Sequence, residues 1–85
     1  MKQRAYAIRD TKAESYGTPF YQPTHGAAER SFSSLVHDEQ STISRHPEDY
    51  DLYYIGEYDT NLGLFTALDT PQHIAKAIHL KNASL

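Results

Sequence analysis

The stretch Asp51–Leu68, DLYYIGEYDTNLGLFTAL, constrains the fold of this chain more than any other. Asp51–Tyr58 is rich in aromatic and branched residues and reads as a strand. In Asp59-Thr60-Asn61-Leu62-Gly63, Asp and Asn can bond local backbone groups and Gly63 can take a positive φ, so the chain turns and Leu64–Leu68 returns as the partner strand. Strict alternation puts Leu52, Tyr54 and Tyr58 on one face and Tyr53 and Ile55 on the other, and Leu64 and Phe65 also point opposite ways. Both faces of the hairpin are therefore apolar, and both must be covered.

The remaining elements supply cover for one face. Lys2–Asp10 alternates as a strand, with Arg4, Tyr6 and Ile8 on one side and Ala5, Ala7 and Arg9 on the other. After a polar turn, Ser15–Gln22 reads as a second, aromatic strand that Pro19 confines to an edge or interrupts. Thr24 or Gly26 can cap a helix in which Ala28, Phe32, Leu35 and Val36 share a face, ending near Asp38. Glu39–Asp49 is polar and without period, apart from a turn at Pro47-Glu48-Asp49-Tyr50. Asp69-Thr70-Pro71 is a helix-start signal, although Ile74, Lys76, Ile78 and Leu80 also fit an extended tail. The order strand-strand-helix-strand-strand predicts one α+β domain over residues 1–85, with a small, mainly antiparallel sheet of about four strands and one main helix. Residues 1–14 form the basic first strand and turn, and 70–85 a short helix or loose tail.

With 85 residues and one good helix, one sheet face is left for the tail, a ligand or a second subunit. A homodimer buried around the hairpin is expected, with Leu52, Tyr53, Tyr54, Ile55, Tyr58 and Phe65 as candidate contacts. The absence of cysteine excludes disulfides and thiolate metal sites. No apolar run spans a membrane, and the N-terminus lacks the apolar stretch of a signal peptide, so no membrane partner and an intracellular location are expected. The net charge of −3 is unevenly spread. Lys2, Arg4, Arg9, Lys12 and Arg30 outnumber Asp10, Glu14 and Glu29 up to Arg30, whereas Arg45 alone faces eight acids between Ser31 and Thr70. Such polarity can steer an anion to one end, drive self-association, or serve solubility alone.

A longer pattern joins these pieces. His46-Pro47-Glu48-Asp49-Tyr50-Asp51-Leu52-Tyr53, then Ile55-Gly56-Glu57-Tyr58-Asp59 and Gly63-Leu64-Phe65, resemble the corresponding stretch of the small non-structural DNA-binding proteins of the microviruses, gokushovirus type, encoded by the fifth reading frame. Ala7-Ile8-Arg9-Asp10-Thr11-Lys12-Ala13-Glu14, Pro19-Phe20 and Ala28 with Arg30-Ser31-Phe32 extend the resemblance over nearly the whole chain. It implies a phage accessory protein of the bacterial host cytoplasm that acts in the switch from duplex replication to single-strand synthesis and packaging. It assigns no DNA-contacting role to any particular residue.

Residue chemistry fits binding better than catalysis. Seven tyrosines and three phenylalanines offer rings on which bases of single-stranded DNA can stack, and the same rings serve equally as core or subunit contact. The candidate nucleic-acid set is Tyr6, Tyr16 and Tyr21 with Lys2, Arg4, Arg9 and Lys12 for phosphates. Tyr53, Tyr54 and Tyr58 could also stack bases. The five histidines form no ligand cluster at metal spacing, Asp59-Thr60-Asn61 lacks the later residues of a calcium loop, and no nucleophile elbow or phosphate loop occurs. No cofactor, no metal and no enzymatic activity are therefore expected. The runner-up function is a regulator that contacts phage replication or packaging proteins and touches DNA little, which the acidic middle would favour.

Overall fold

The alternation expected for the first strand organises the molecule. A computed structural model describes residues 1–83; Ser84 and Leu85, the end of the expected C-terminal tail, lie outside the described residues. Strand β1 (Lys2–Asp10) runs through an antiparallel sheet. One of its edges pairs with β2 (Ser15–Tyr16) and β3 (Phe20–Gln22), the other with β4 (Tyr50–Asp59), and β4 pairs in turn with β5 (Leu64–Lys76). The Ser15–Gln22 strand is interrupted around Pro19, which has no N–H to offer a ladder. With α1 (His25–His37) as the main helix and α3 (Ala77–Ala83) at the C-terminal end, the chain is an α+β fold with a mainly antiparallel sheet.

Helix α1 starts at Thr24, whose Oγ1 accepts a 3.1 Å hydrogen bond from the Ala27 amide; Gly26 lies inside the first turn. Ala28, Phe32 and Val36, four residues apart, are fully buried against Tyr6, Leu52, Tyr54 and Ala75, with Ile8, Phe20 and Tyr50 at the margin. Leu35, expected on the same stripe, stays partly exposed at its border. The polar segment beyond Asp38 holds an element that periodicity missed, the one-turn helix α2 (Thr42–Arg45), because a single turn is too short to show a period. Ser41 caps it, and buried Ser44 accepts a 2.8 Å hydrogen bond from Lys81 Nζ, which ties α2 to α3. Pro47–Asp49 forms the expected turn, in 3-10 geometry, and the Asp49 carbonyl accepts from the Thr11 amide at 2.9 Å.

Departures from the expected pattern decide which residues share a face, two of them at places where the sequence pointed elsewhere. In β4, Tyr54 lies opposite Tyr6 and Gly56 opposite Ala5, so Ile55 is an extra residue without a partner in β1. A bulge reverses the alternation beyond it. Tyr58 therefore joins Tyr53 rather than Leu52 and Tyr54. The candidate interface set is divided accordingly: Leu52 and Tyr54 are buried beneath α1 and are removed from any subunit contact, whereas Tyr53, Tyr58 and Phe65 lie on the face away from the helix.

The second departure is at Asp69-Thr70-Pro71, which starts no helix. The β4–β5 register jumps from Gly56↔Ala67 to Tyr54↔Gln72, so Leu68–Pro71 bow out of the ladder where Ile55 bulges. Pro71 is tolerated there because no ladder N–H is needed. Ala75 is held opposite Leu52 in the core, which keeps the chain extended to Lys76 and delays the helix to Ala77.

Gly56 reports on this register. A Cβ there would sit 2.5 Å from the Thr66 carbonyl oxygen and 2.9 Å from two Phe65 ring carbons. Gly56→Ala should lower the urea midpoint, at a cost of about 1–3 kcal/mol typical of overpacking. An unchanged midpoint would contradict the bulged register.

Candidate nucleic-acid interface

The face away from α1 can be built row by row across the strands. Tyr16, Arg9, Asp51 and Lys76 form the first row, Ala7, Tyr53 and His73 the second, Tyr21, Ala5, Gly56 and Ala67 the third, and Gln3, Tyr58 and Phe65 the fourth. Small residues occupy the middle and aromatic rings flank them. Ala5 and Ala7 are 0% and 1% exposed although no described helix lies on this side. The cover comes from ring pairs that meet across β1. Tyr16 and Tyr53 pack edge to face at 5.4 Å between centroids, and Tyr21 and Tyr58 pack at 5.9 Å. The His73 ring stands edge-on to Tyr53 at 5.4 Å, and the Phe65 ring occupies the space over Gly56. Tyr16, Tyr21 and Phe65 remain 42%, 43% and 44% exposed, so the layer is aromatic and still open to solvent.

Charge is concentrated at one end of this layer. The Arg9 guanidinium lies 5.2 Å from the Tyr16 ring centroid, within cation–π range. Asp51 sits between Arg9 and Lys76 in register, and its Oδ2 is 3.4 Å from His73 Nε2. Lys12 is exposed in the turn that follows β1 at the same end. Burial raises the Tyr53 phenol above its ordinary value, with Tyr16 and Asp51 adding and Arg9 opposing. The ring is therefore neutral over the physiological range and presents no phenolate to repel a polyanion.

The structure gathers some of the residues singled out in the sequence and separates others. Arg9, Tyr16 and Tyr21 share the open face with Tyr53, Tyr58 and Phe65. Lys2 and Arg4 belong to the opposite face, in register with Asp59 and Glu57. There Lys2 borders a groove of about 300 Å³ lined also by Tyr54, Glu57, Leu62, Leu64 and Leu68. Tyr6 is corrected outright. It is fully buried, its hydroxyl shares a 2.6 Å hydrogen bond with His25 Nδ1, and its ring packs on Phe20 and Tyr54, so no face is left for a base. The basic strand is thus no single stripe, because alternation sends its charges to both sides.

Sequence reasoning missed His73 and Lys76, which reach the open face only through the register of β5 against β4. The extended reading of Ile74–Leu80 was the signal that could have found them. His46, Glu48 and Asp49 bring one ligand atom each within 4.8 Å of one another on the turn before β4, with His46 and Glu48 exposed. Acids near the start of such a turn are accounted for by its helical dipole. Among the described residues no helix is long and apolar enough to cross a membrane.

The model of the phage ORF5 protein family matches residues 3–80. The chain belongs to the phage ORF5 family. A curated relative, Protein ORF5 of Chlamydia phage 1, is 41% identical over 68 residues, which cover 75% of this chain and 71% of that protein. No solved structure matches. This ORF5-family chain is therefore a phage protein whose fold places two aromatic layers on opposite sides of one sheet.

The tyrosines give a pH dependence of known sign. Burial raises the phenols of Tyr6, Tyr50, Tyr53 and Tyr54 above the model-compound value of 10.0. Each holds its proton more tightly folded than unfolded. That contribution is complete below about pH 10 and is lost as the pH rises through the raised values. Thermal melts at increasing alkaline pH should show falling stability, and Tyr53→Phe should lessen the fall. An identical alkaline loss in that variant would assign no part of it to Tyr53.

Proposed function

We propose that this protein is a non-enzymatic, non-structural phage accessory protein that binds single-stranded DNA without sequence preference. It acts in the host cytoplasm during single-strand genome synthesis and packaging. The observation that carries the reading is the open aromatic layer itself, in which Arg9 lies against Tyr16 and Lys76 closes the same row. Every base has a π-face, so stacking on Tyr16, Tyr21, Tyr53, Tyr58 and Phe65 needs no particular sequence. Arg9, Lys12 and Lys76 supply the phosphate contacts, while the acids Glu57 and Asp59 face the other way.

This arrangement makes stacking the main source of affinity and charge the lesser one. Single-stranded DNA gives a salt slope of about −0.7 per phosphate neutralised, so three basic contacts correspond to a slope of about −2. Fluorescence titration with oligo-dT at several salt concentrations should return such a shallow slope. Tyr16→Ala and Tyr53→Ala should each weaken binding by about 1–3 kcal/mol, roughly 5- to 150-fold. Arg9→Ala should reduce the slope by about one phosphate, and Arg30→Ala, on the exposed side of α1, should leave it unchanged. Lack of salt-sensitive binding at micromolar protein would refute the reading. It would favour the regulator that contacts replication or packaging proteins, which pull-down with the phage replication initiator and procapsid detects.

A further inference from the structure

The two edges of the sheet are treated differently. The β2/β3 edge is made of two short pieces interrupted around Pro19, a device that blunts pairing with another chain. The β5 edge has no such device over its first half. Leu62-Gly63-Leu64-Phe65-Thr66-Ala67-Leu68 contains no charge and no proline. Leu64–Ala67 pair with β4 on one side, and no described strand pairs with them on the other. Leu62 and Leu64 are 68% and 61% exposed, and with Leu68 they line the groove on the helix side of the sheet.

From the unpaired β5 edge and its self-complementary residues we infer that a second copy of this chain pairs there, antiparallel, about a two-fold axis through Thr66. The axis follows from what each register places together. Centred on Thr66, Leu64 meets Leu68 of the other copy and Phe65 meets Ala67, a large ring beside a small residue. Leu64 and Thr66 share the helix side and Leu68 lines the same groove, so the two grooves join into one seam whose leucines meet and whose rim carries Lys2, Glu57 and Asp59. Phe65 and Ala67 share the other side, so the two aromatic layers become one surface. No like charges are opposed, because the paired run carries none. A two-fold contact of this kind is closed: it uses both β5 edges and leaves only the interrupted β2/β3 edges outermost. The pairing stands independently of DNA binding, and a protein that dimerises but ignores oligo-dT would leave it intact.

Light scattering on the wild type and a single introduced cysteine test it together. At tens of micromolar the wild type should scatter as twice its 9.7 kDa mass. Leu64→Lys, a change at an exposed side chain, should halve that mass while circular dichroism is unchanged. The chain has no cysteine, so Thr66→Cys places one thiol on the axis, where directly opposed residues of an antiparallel pair lie within disulfide range. Mild oxidation should convert it to a covalent dimer, whereas Ser34→Cys, exposed on α1, should stay largely monomeric. A monomeric wild type overturns the inference. So does a dimer whose mass is unaffected by Leu64→Lys, or one in which Thr66→Cys cross-links no faster than Ser34→Cys.

Discussion

The extra residue in β4 is the constraint on which the rest of this molecule depends. Strict alternation would have put Tyr58 under the same layer as Leu52 and Tyr54, where α1 has already ended its cover. Ile55 has no partner in β1, so the two ends of β4 present opposite parities to the sheet. Tyr53 and Tyr58, five residues apart, then stand on one face and each reaches a tyrosine from the far side of β1. The same irregularity bows Leu68–Pro71 out of β5, makes room for Pro71 within an extended run and brings His73 beside Tyr53, and a second shift at Ile74 sets Lys76 beside Asp51.

A short chain has the problem of covering two sheet faces with few residues, and this one uses a different solution on each side. One face receives a helix, with Ala28, Phe32 and Val36 filling the space over Tyr6 and Leu52. The other is covered by its own side chains. Alanines and a glycine in the middle strands keep the surface low, and tyrosines from the flanking strands lean in above them. Aromatic pairs of this geometry are worth about 0.5–1.5 kcal/mol beyond the area they bury. A layer made this way keeps half-exposed rings, which a helical cover would have hidden. The layer thus has two roles, closing the sheet and offering flat surface to solvent.

Much of the fold was legible because periodicity carries it. The alternation of Lys2–Asp10, the Ala28-Phe32-Val36 stripe and the Asp59–Gly63 turn each follow from local chemistry, and Gly63 does take φ +68°. What could not be read is register. A bulge leaves no mark in a run as uniformly apolar as Tyr53-Tyr54-Ile55, so the faces of β4 were mixed, and Leu52 and Tyr54 were placed at an interface although they are core. Asp69-Thr70-Pro71 carries a valid helix-start signal that tertiary burial of Ala75 and Ala77 overrides. Tyr6 was misplaced for a related reason: alternation put it correctly beside Arg4, but not which of the two faces α1 would take. His25, at the first turn of α1, has no sequence pattern that predicts its bond to Tyr6.

The proposed DNA-binding surface is the tyrosine layer away from α1. The most direct measurement is a map of backbone amide shifts by NMR as oligo-dT is added to the intact protein. Shift changes should concentrate at Ala5, Ala7, Arg9, Tyr16, Tyr21, Tyr53, Tyr58 and His73, with α1 unmoved. Changes centred on α1 or on the groove beside Leu62 and Leu64, or none at all, would contradict this proposal.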